Sequence, residues 1–191
     1  MEVDADKVVV CETPEAFWNW LADNHAEAKE VWLQLYKKQS GIPSINWSEA
    51  VVQAIAWGWI DGIKKSRDAQ SWYQRFTPRR PKAMWSKKNR EHAETLIADG
   101  RMQPAGQRLV DEAMENGHWD MAYAGSAEME IPEEFMAELA KNPAAQQVFD
   151  GLNRANLFAI YYRLHAAKRP ETRARRQSDI IAMLARGETF H

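Results

Sequence analysis

The carboxylate with the most unusual neighbours in the sequence is Asp61, in Trp57-Gly58-Trp59-Ile60-Asp61-Gly62. Two large rings and two glycines flank it, and glycine lets a backbone approach closely where a side chain would forbid it. The pattern suits an anchor for a cationic or hydrogen-bonding ligand, and equally a turn or sheet-edge carboxylate that satisfies local amides. A second group is Trp72-Tyr73-Gln74-Arg75-Phe76-Thr77-Pro78-Arg79-Arg80, continuing to Trp85, Ser86 and Asn89, where rings interleave with bases. Such interleaving can stack on bases and contact phosphate. Strand alternation offers another account: Trp72 and Phe76 point one way, Tyr73 and Arg75 the other, so rings cover the core and arginines stay wet. A third group, Arg169, Arg173 and Arg176, falls three and four residues apart on one helical face, with Arg175 beside it. That face suits a phosphate, an anionic headgroup or an acidic partner, or simply a solvated helix.

Other chemistry lacks its residues. Cys11 is the single cysteine, which rules out an intramolecular disulfide framework and the common zinc templates. A helix N-terminus just after Cys11 could lower its pKa, although a lone cysteine usually packs as a small apolar group. His25, His92, His118, His165 and His191 show neither HxH nor HExxH spacing, so no metal site is expected. No GxGxxG or Walker loop is present, which leaves a nucleotide cofactor unsupported. No nucleophile elbow stands out. No catalytic residue and no cofactor is therefore expected.

These groups must be held by elements legible in the sequence. At 191 residues the chain can bury about 70% of its unfolded surface. Thr13-Pro14-Glu15 opens a helix carrying Phe17, Trp18 and Leu21 that ends near Asn24. Residues 30–37, rich in β-branched and aromatic types, read as a strand. Asn46-Trp47-Ser48-Glu49 resembles a capping box for a helix stopping at Gly58. Residues 59–65 and 71–77 read as a hairpin around the polar turn 66–70. Further helices begin at Ser86, at Pro104, after Pro132 and at Asn142-Pro143, and two more run over 155–168 and 170–186. The fold expected is α+β: a small three-stranded, mainly antiparallel sheet over 30–77, packed by helices and followed by a helical C-terminal region. Residues 1–117 would form the α+β domain, 118–131 a linker rich in small and acidic residues, and 132–191 a helical region packing on the first.

The net charge of −2 hides a zoned distribution. Residues 69–90 contain bases and no acid, residues 109–140 contain nine acids and no Lys or Arg, and a second basic run spans 163–176. Pairing between the first basic and the acidic segments would leave little charge for nucleic acid, so nucleic-acid binding is the weaker reading. No apolar run approaches the ~18 to 20 residues of a membrane span, and residues 1–11 do not resemble a secretory signal. A cytoplasmic location is expected.

Several of these stretches also carry a family resemblance: residues 54–62 (Ala-Ile-Ala-Trp-Gly-Trp-Ile-Asp-Gly), Gln74 to Arg80, Trp85-Ser86 with Asn89, Gly100-Arg101-Met102, Pro104-Ala105-Gly106, Gly117 with Trp119-Asp120, and Lys168 with Glu171-Thr172-Arg173 and Arg175-Arg176. With these motifs the chain resembles the YdeI/OmpD-associated, or bacteriocin-protection, family. The resemblance implies a bacterial protein linked to antimicrobial-peptide resistance and to an outer-membrane porin, and brings no catalytic residues with it. The order helix, strand, helix, hairpin is also similar to YdhG-like proteins, some described as frataxin-like iron chaperones. The acids of 109–140 would then supply oxygen ligands.

The sequence thus points to a non-enzymatic, stress-related binding protein. Its expected working groove joins Trp57, Trp59, Asp61 and Gly62 to Arg79, Arg80, Trp85, Ser86 and Asn89, and captures an anionic ligand or acidic protein. Arg79 and Arg80 are expected to be replaceable without loss of fold. An iron chaperone, an unrecognised small-molecule enzyme and a nucleic-acid module are the alternatives.

Overall fold

The computed structural model describes residues 2–191. The chain divides into two compact units, Met1–Met121 and Ala122–His191, and the boundary falls inside the 118–131 stretch. Among the described residues there are eight α-helices and one four-stranded sheet, an α+β architecture.

In the first unit the strands are β1 (Val8–Val10), β2 (Val31–Tyr36), β3 (Trp59–Ser66) and β4 (Ser71–Pro78). Their order is β1-β2-β4-β3. β2 and β3 both pair antiparallel with β4, whereas β1 runs parallel to β2, with Val8 opposite Trp32. The sheet is therefore four-stranded and mixed, not three-stranded. The additional strand is three valines paired to a segment more than twenty residues away. A parallel pair needs a crossover, which α1 (Pro14–Asn24) supplies.

β2 is buried on both faces. Val31, Trp32, Leu33 and Leu35 are each at most 1% exposed, as the near-continuous apolar run of an interior strand requires. Phe17 of α1 meets Phe76 of β4 with ring centroids 5.3 Å apart. α1 is capped by Thr13, whose Oγ1 accepts from the Ala16 amide at 3.2 Å. α2 (Trp47–Ala56) begins with the full capping box of Asn46 and Glu49. α3 (Lys87–Ala98) is capped by Ser86, and α4 (Pro104–Glu115) starts on a proline.

α4 approaches the end of α2 closely because of two glycines. A Cβ on Gly106 would lie 2.4 Å from the Ala56 carbonyl oxygen, and one on Gly58 2.9 Å from that of Ala105. Gly58 also has a φ of +75°, the left-handed turn that ends α2 and starts β3.

Glu30, just before β2, joins the edge of the sheet to its interior. Its carboxylate accepts from Lys7 Nζ at 3.0 Å and from Arg75 Nε at 2.7 Å, and these two cations hold its pKa below the usual range. A carboxyl whose pKa is depressed on folding stabilises the fold above its unfolded pKa and loses that contribution as pH falls through the folded one. Glu30→Gln is thus expected to lower stability by about 1 kcal/mol at pH 7. In thermal melts the gap to wild type should close as pH drops below about 4.

The second unit holds α5 (Glu133–Leu139), α6 (Pro143–Asp150), α7 (Arg154–His165) and α8 (Pro170–Ala185). Phe135, Leu139, Ile160, Leu164, Ile180 and Leu184 form its core. The last residues fold back on α7: Asn156 Oδ1 accepts from the amides of Phe190 and His191 at 2.9 and 3.1 Å. Arg163 lies 3.8 Å from the Phe190 ring centre. No described helix is long and apolar enough to cross a membrane.

Candidate functional site

The residues singled out within 57–89 separate into three environments of the first unit. The first is a cleft of about 470 Å³ lined by Trp57, Gly58, Trp59 and Arg79, together with His25, Lys29, Ala105 and Arg108. The turn after α1, the α2–β3 junction, the end of β4 and α4 all contribute to it. Trp57 is half-buried, its ring 5.3 Å from Trp18 and 4.6 Å from His25. Its indole N–H is buried and has no hydrogen-bond partner. Trp59 lies deeper, 1% exposed, and donates its indole N–H to the His25 carbonyl at 3.2 Å. Three cations, Lys29, Arg79 and Arg108, face one carboxylate, Glu27, along the walls. Lys29 and Arg108 are exposed and were not among the residues expected from sequence. Nothing in their local pattern marks them; only the approach of α4 to the α1–β2 turn puts them together.

Arg79 supplies a fixed charge. It is 7% exposed, donates through Nη2 to the carbonyls of Met84 at 2.7 Å and Ala83 at 3.3 Å, and lies 3.9 Å from the Trp85 ring centre. The expectation that it could be removed without loss of fold does not suit this burial. Arg80 is exposed. Trp85 is 2% exposed and packs edge-on against Trp119 at 5.1 Å. Ser86 Oγ accepts from the Asn89 amide at 3.1 Å as the cap of α3. Trp85, Ser86 and Asn89 therefore serve the core and a helix start, and do not line the Trp57 cleft.

Asp61 and Gly62 open onto a different cleft, of about 410 Å³, with Trp47, Lys64, Trp72 and Gln74. The Asp61 carboxylate accepts from the Trp47 indole at 3.2 Å. Burial raises its pKa, against smaller opposing effects of Trp47, its own amide and the Arg79 charge.

In the second unit the three arginines expected to act together have separate partners. Arg173 pairs with Glu134 at 2.9 Å, Arg176 donates to the Arg163 carbonyl at 2.5 Å, and Arg169 is the backbone cap of α8. The basic segment 69–90 does not pair with the 109–140 acids through Arg75, Lys88 or Arg90, whose ion pairs are to Glu30, Glu91 and Glu94. Among the described residues no group of three or more His, Cys, Asp or Glu could hold a metal ion. Cys11 is 2% exposed, and burial pushes its thiol up to about 11, so it is protonated at neutral pH.

Residues 9–109, just over half of the chain, match the family model described as domain of unknown function DUF8412. The chain belongs to the DUF8412 family. Both clefts of the first unit lie within that match. Residues 128–187 match the model described as bacteriocin-protection, YdeI or OmpD-associated, the family that the sequence resembles. Of the resemblance motifs, Lys168, Glu171, Thr172, Arg173, Arg175 and Arg176 fall inside this second match, and those over 54–106 inside the DUF8412 match. No curated protein and no solved structure matches the chain.

Proposed function

We propose that this protein is a non-enzymatic binding protein, of the stress or antimicrobial-peptide-resistance type, that captures an anionic group in the cleft of Trp57, Lys29, Arg79 and Arg108. The bacteriocin-protection description of the family matched by residues 128–187 supports the resistance context. The observation that carries the anion is the buried Trp57 indole N–H without an acceptor, in a cleft whose walls hold three cations and one acid. A buried donor left unsatisfied costs about 1 to 3 kcal/mol, and a rotation of the half-buried Trp57 ring that brings its N–H into the cleft would let a ligand oxygen recover that while meeting positive charge on the walls. Arg79, held by two carbonyls and a ring, keeps its position whether or not the ligand is bound, so little ordering accompanies capture. Arg108, itself exposed, pairs with the half-buried Glu112 one helical turn on, at 3.0 Å, a pair weak enough to be exchanged for a ligand.

Titration with inorganic phosphate and with succinate, followed through the Trp57 indole ¹⁵N–¹H resonance, tests this. A saturable shift is expected, weakened about tenfold or more by Lys29→Ala with Arg108→Ala at an unchanged Tm, since both side chains are exposed. A response to sodium chloride of equal ionic strength that matches phosphate, or a double variant that binds as wild type does, would reject the reading.

A further inference from the structure

The Asp61 cleft is separate from the anion cleft and opposite in character. Its form depends on an irregularity in β3. Asp61 lies opposite Phe76 and Lys64 opposite Gln74, so three steps along β3 are matched by two along β4. One extra residue in a strand reverses the facing of everything beyond it. Asp61 and Lys64, three apart, consequently share a face with Gln74 and Trp72, where regular alternation would have put them on opposite sides. Gln74 stabilises the irregularity: it is 4% exposed and donates Nε2 to the Gly62 carbonyl at 2.8 Å, a carbonyl that the bulge withdraws from regular pairing.

The result is a half-buried carboxylate with an indole at each side of one cleft, Trp47 from α2 and Trp72 from β4. Trp47 is 49% exposed, an unusual exposure for a side chain of that apolar area, and its N–H is already committed to Asp61 Oδ2. We propose that this cleft binds an alkylated ammonium group, with Trp47 and Trp72 contacting its methyl or methylene surface and Asp61 its charge. Indole faces attract cations electrostatically, and most strongly those that are weakly hydrated. A quaternary ammonium asks for no hydrogen-bond acceptor, and the two indoles that line the cleft beside the single carboxylate offer apolar surface to its alkyl groups, so the poorly hydrated alkylated form fits better. Arg79 acts on Asp61 through space, and Lys64 lines the cleft with its side chain exposed, so a bound ammonium would share the cleft with one like charge on its wall.

Choline serves as the probe, and dimethylbutanol, its uncharged carbon isostere, as the control. Choline is expected to shift the Trp47 and Trp72 indole resonances of the whole protein saturably at millimolar concentration, while dimethylbutanol leaves them almost unmoved. Asp61→Asn keeps the side-chain volume and removes the charge, and should weaken choline binding about tenfold or more. Lys64→Gln should tighten it about threefold, because a like charge leaves the cleft. Trp47→Leu, at an exposed position, should weaken binding while the melt is unchanged. Equal binding of the uncharged isostere, binding retained in Asp61→Asn, or no saturable shift up to about 100 mM choline would overturn the proposal. Since phosphate and succinate address another cleft through Trp57, either reading can fail while the other stands.

Discussion

Gly106→Ala is expected to destabilise the first unit by about 2 kcal/mol, and Gly106→Val by more, seen as a loss of several degrees in Tm by circular dichroism. Two effects compete. Alanine in a helix interior is favoured over glycine by about 1 kcal/mol. Against this, the new methyl would stand 2.4 Å from the Ala56 carbonyl oxygen and 2.7 Å from that of Ile55. Met102 Sδ, at 2.6 Å, can rotate away, but the two carbonyls belong to the end of α2 and can yield only if α4 is displaced. Overpacking of this kind costs about 1 to 3 kcal/mol and sometimes more, so the clash outweighs the propensity. The displacement would also reach the Gln103 amide, which donates to the same Ala56 oxygen at 3.1 Å. An alanine variant as stable as wild type would show that α4 shifts freely and that the walls of the anion cleft are not fixed by this contact.

Arg79→Ala is expected to cost about 3 kcal/mol, on the order of 10 °C in Tm, and Arg80→Ala less than about 0.5 kcal/mol. The two residues are neighbours in sequence and opposites in environment: Arg79 is 7% exposed, Arg80 exposed. Removing the Arg79 guanidinium leaves the Ala83 and Met84 carbonyls without their donor and takes a cation from the face of Trp85. Each of those losses is of the order of 1 to 2 kcal/mol when buried. Arg79→Lys should recover only part of it, since an ammonium can serve the carbonyls that Nη2 serves but is more strongly hydrated and lacks the delocalised guanidinium that packs against Trp85. Thermal melts of the three variants decide this. An Arg79→Ala protein that melts with wild type would mean that the 80–84 turn is held by something other than this side chain. The same reasoning explains why the anion cleft is probed at Lys29 and Arg108, where lost binding is not confounded with lost fold.

The features of this protein that could be read from residue order are those whose causes lie within one turn of the chain. Thr13 with Pro14, Asn46 with Glu49, Ser86, and Asn142 with Pro143 each start a helix where their local chemistry places it, because a cap bonds amides two or three residues away. β2, β3 and β4 were legible for a similar reason, since β-branched and aromatic runs between polar turns read as strands. Tertiary structure alone decided the rest. The three valines of β1 become a strand only through their parallel ladder to β2. The face on which Lys64 lies depends on a bulge stabilised by Gln74 of another strand. Arg79 is a buried structural cation, where a basic run suggests a wet surface, because the 80–84 turn folds its carbonyls onto it. Trp57 finds Lys29 and Arg108 only because Gly58 and Gly106 let α4 close on the end of α2. In each case the deciding contact joins separate elements or turns a chain segment back on a side chain, and the identity of a residue does not specify the surface it will meet.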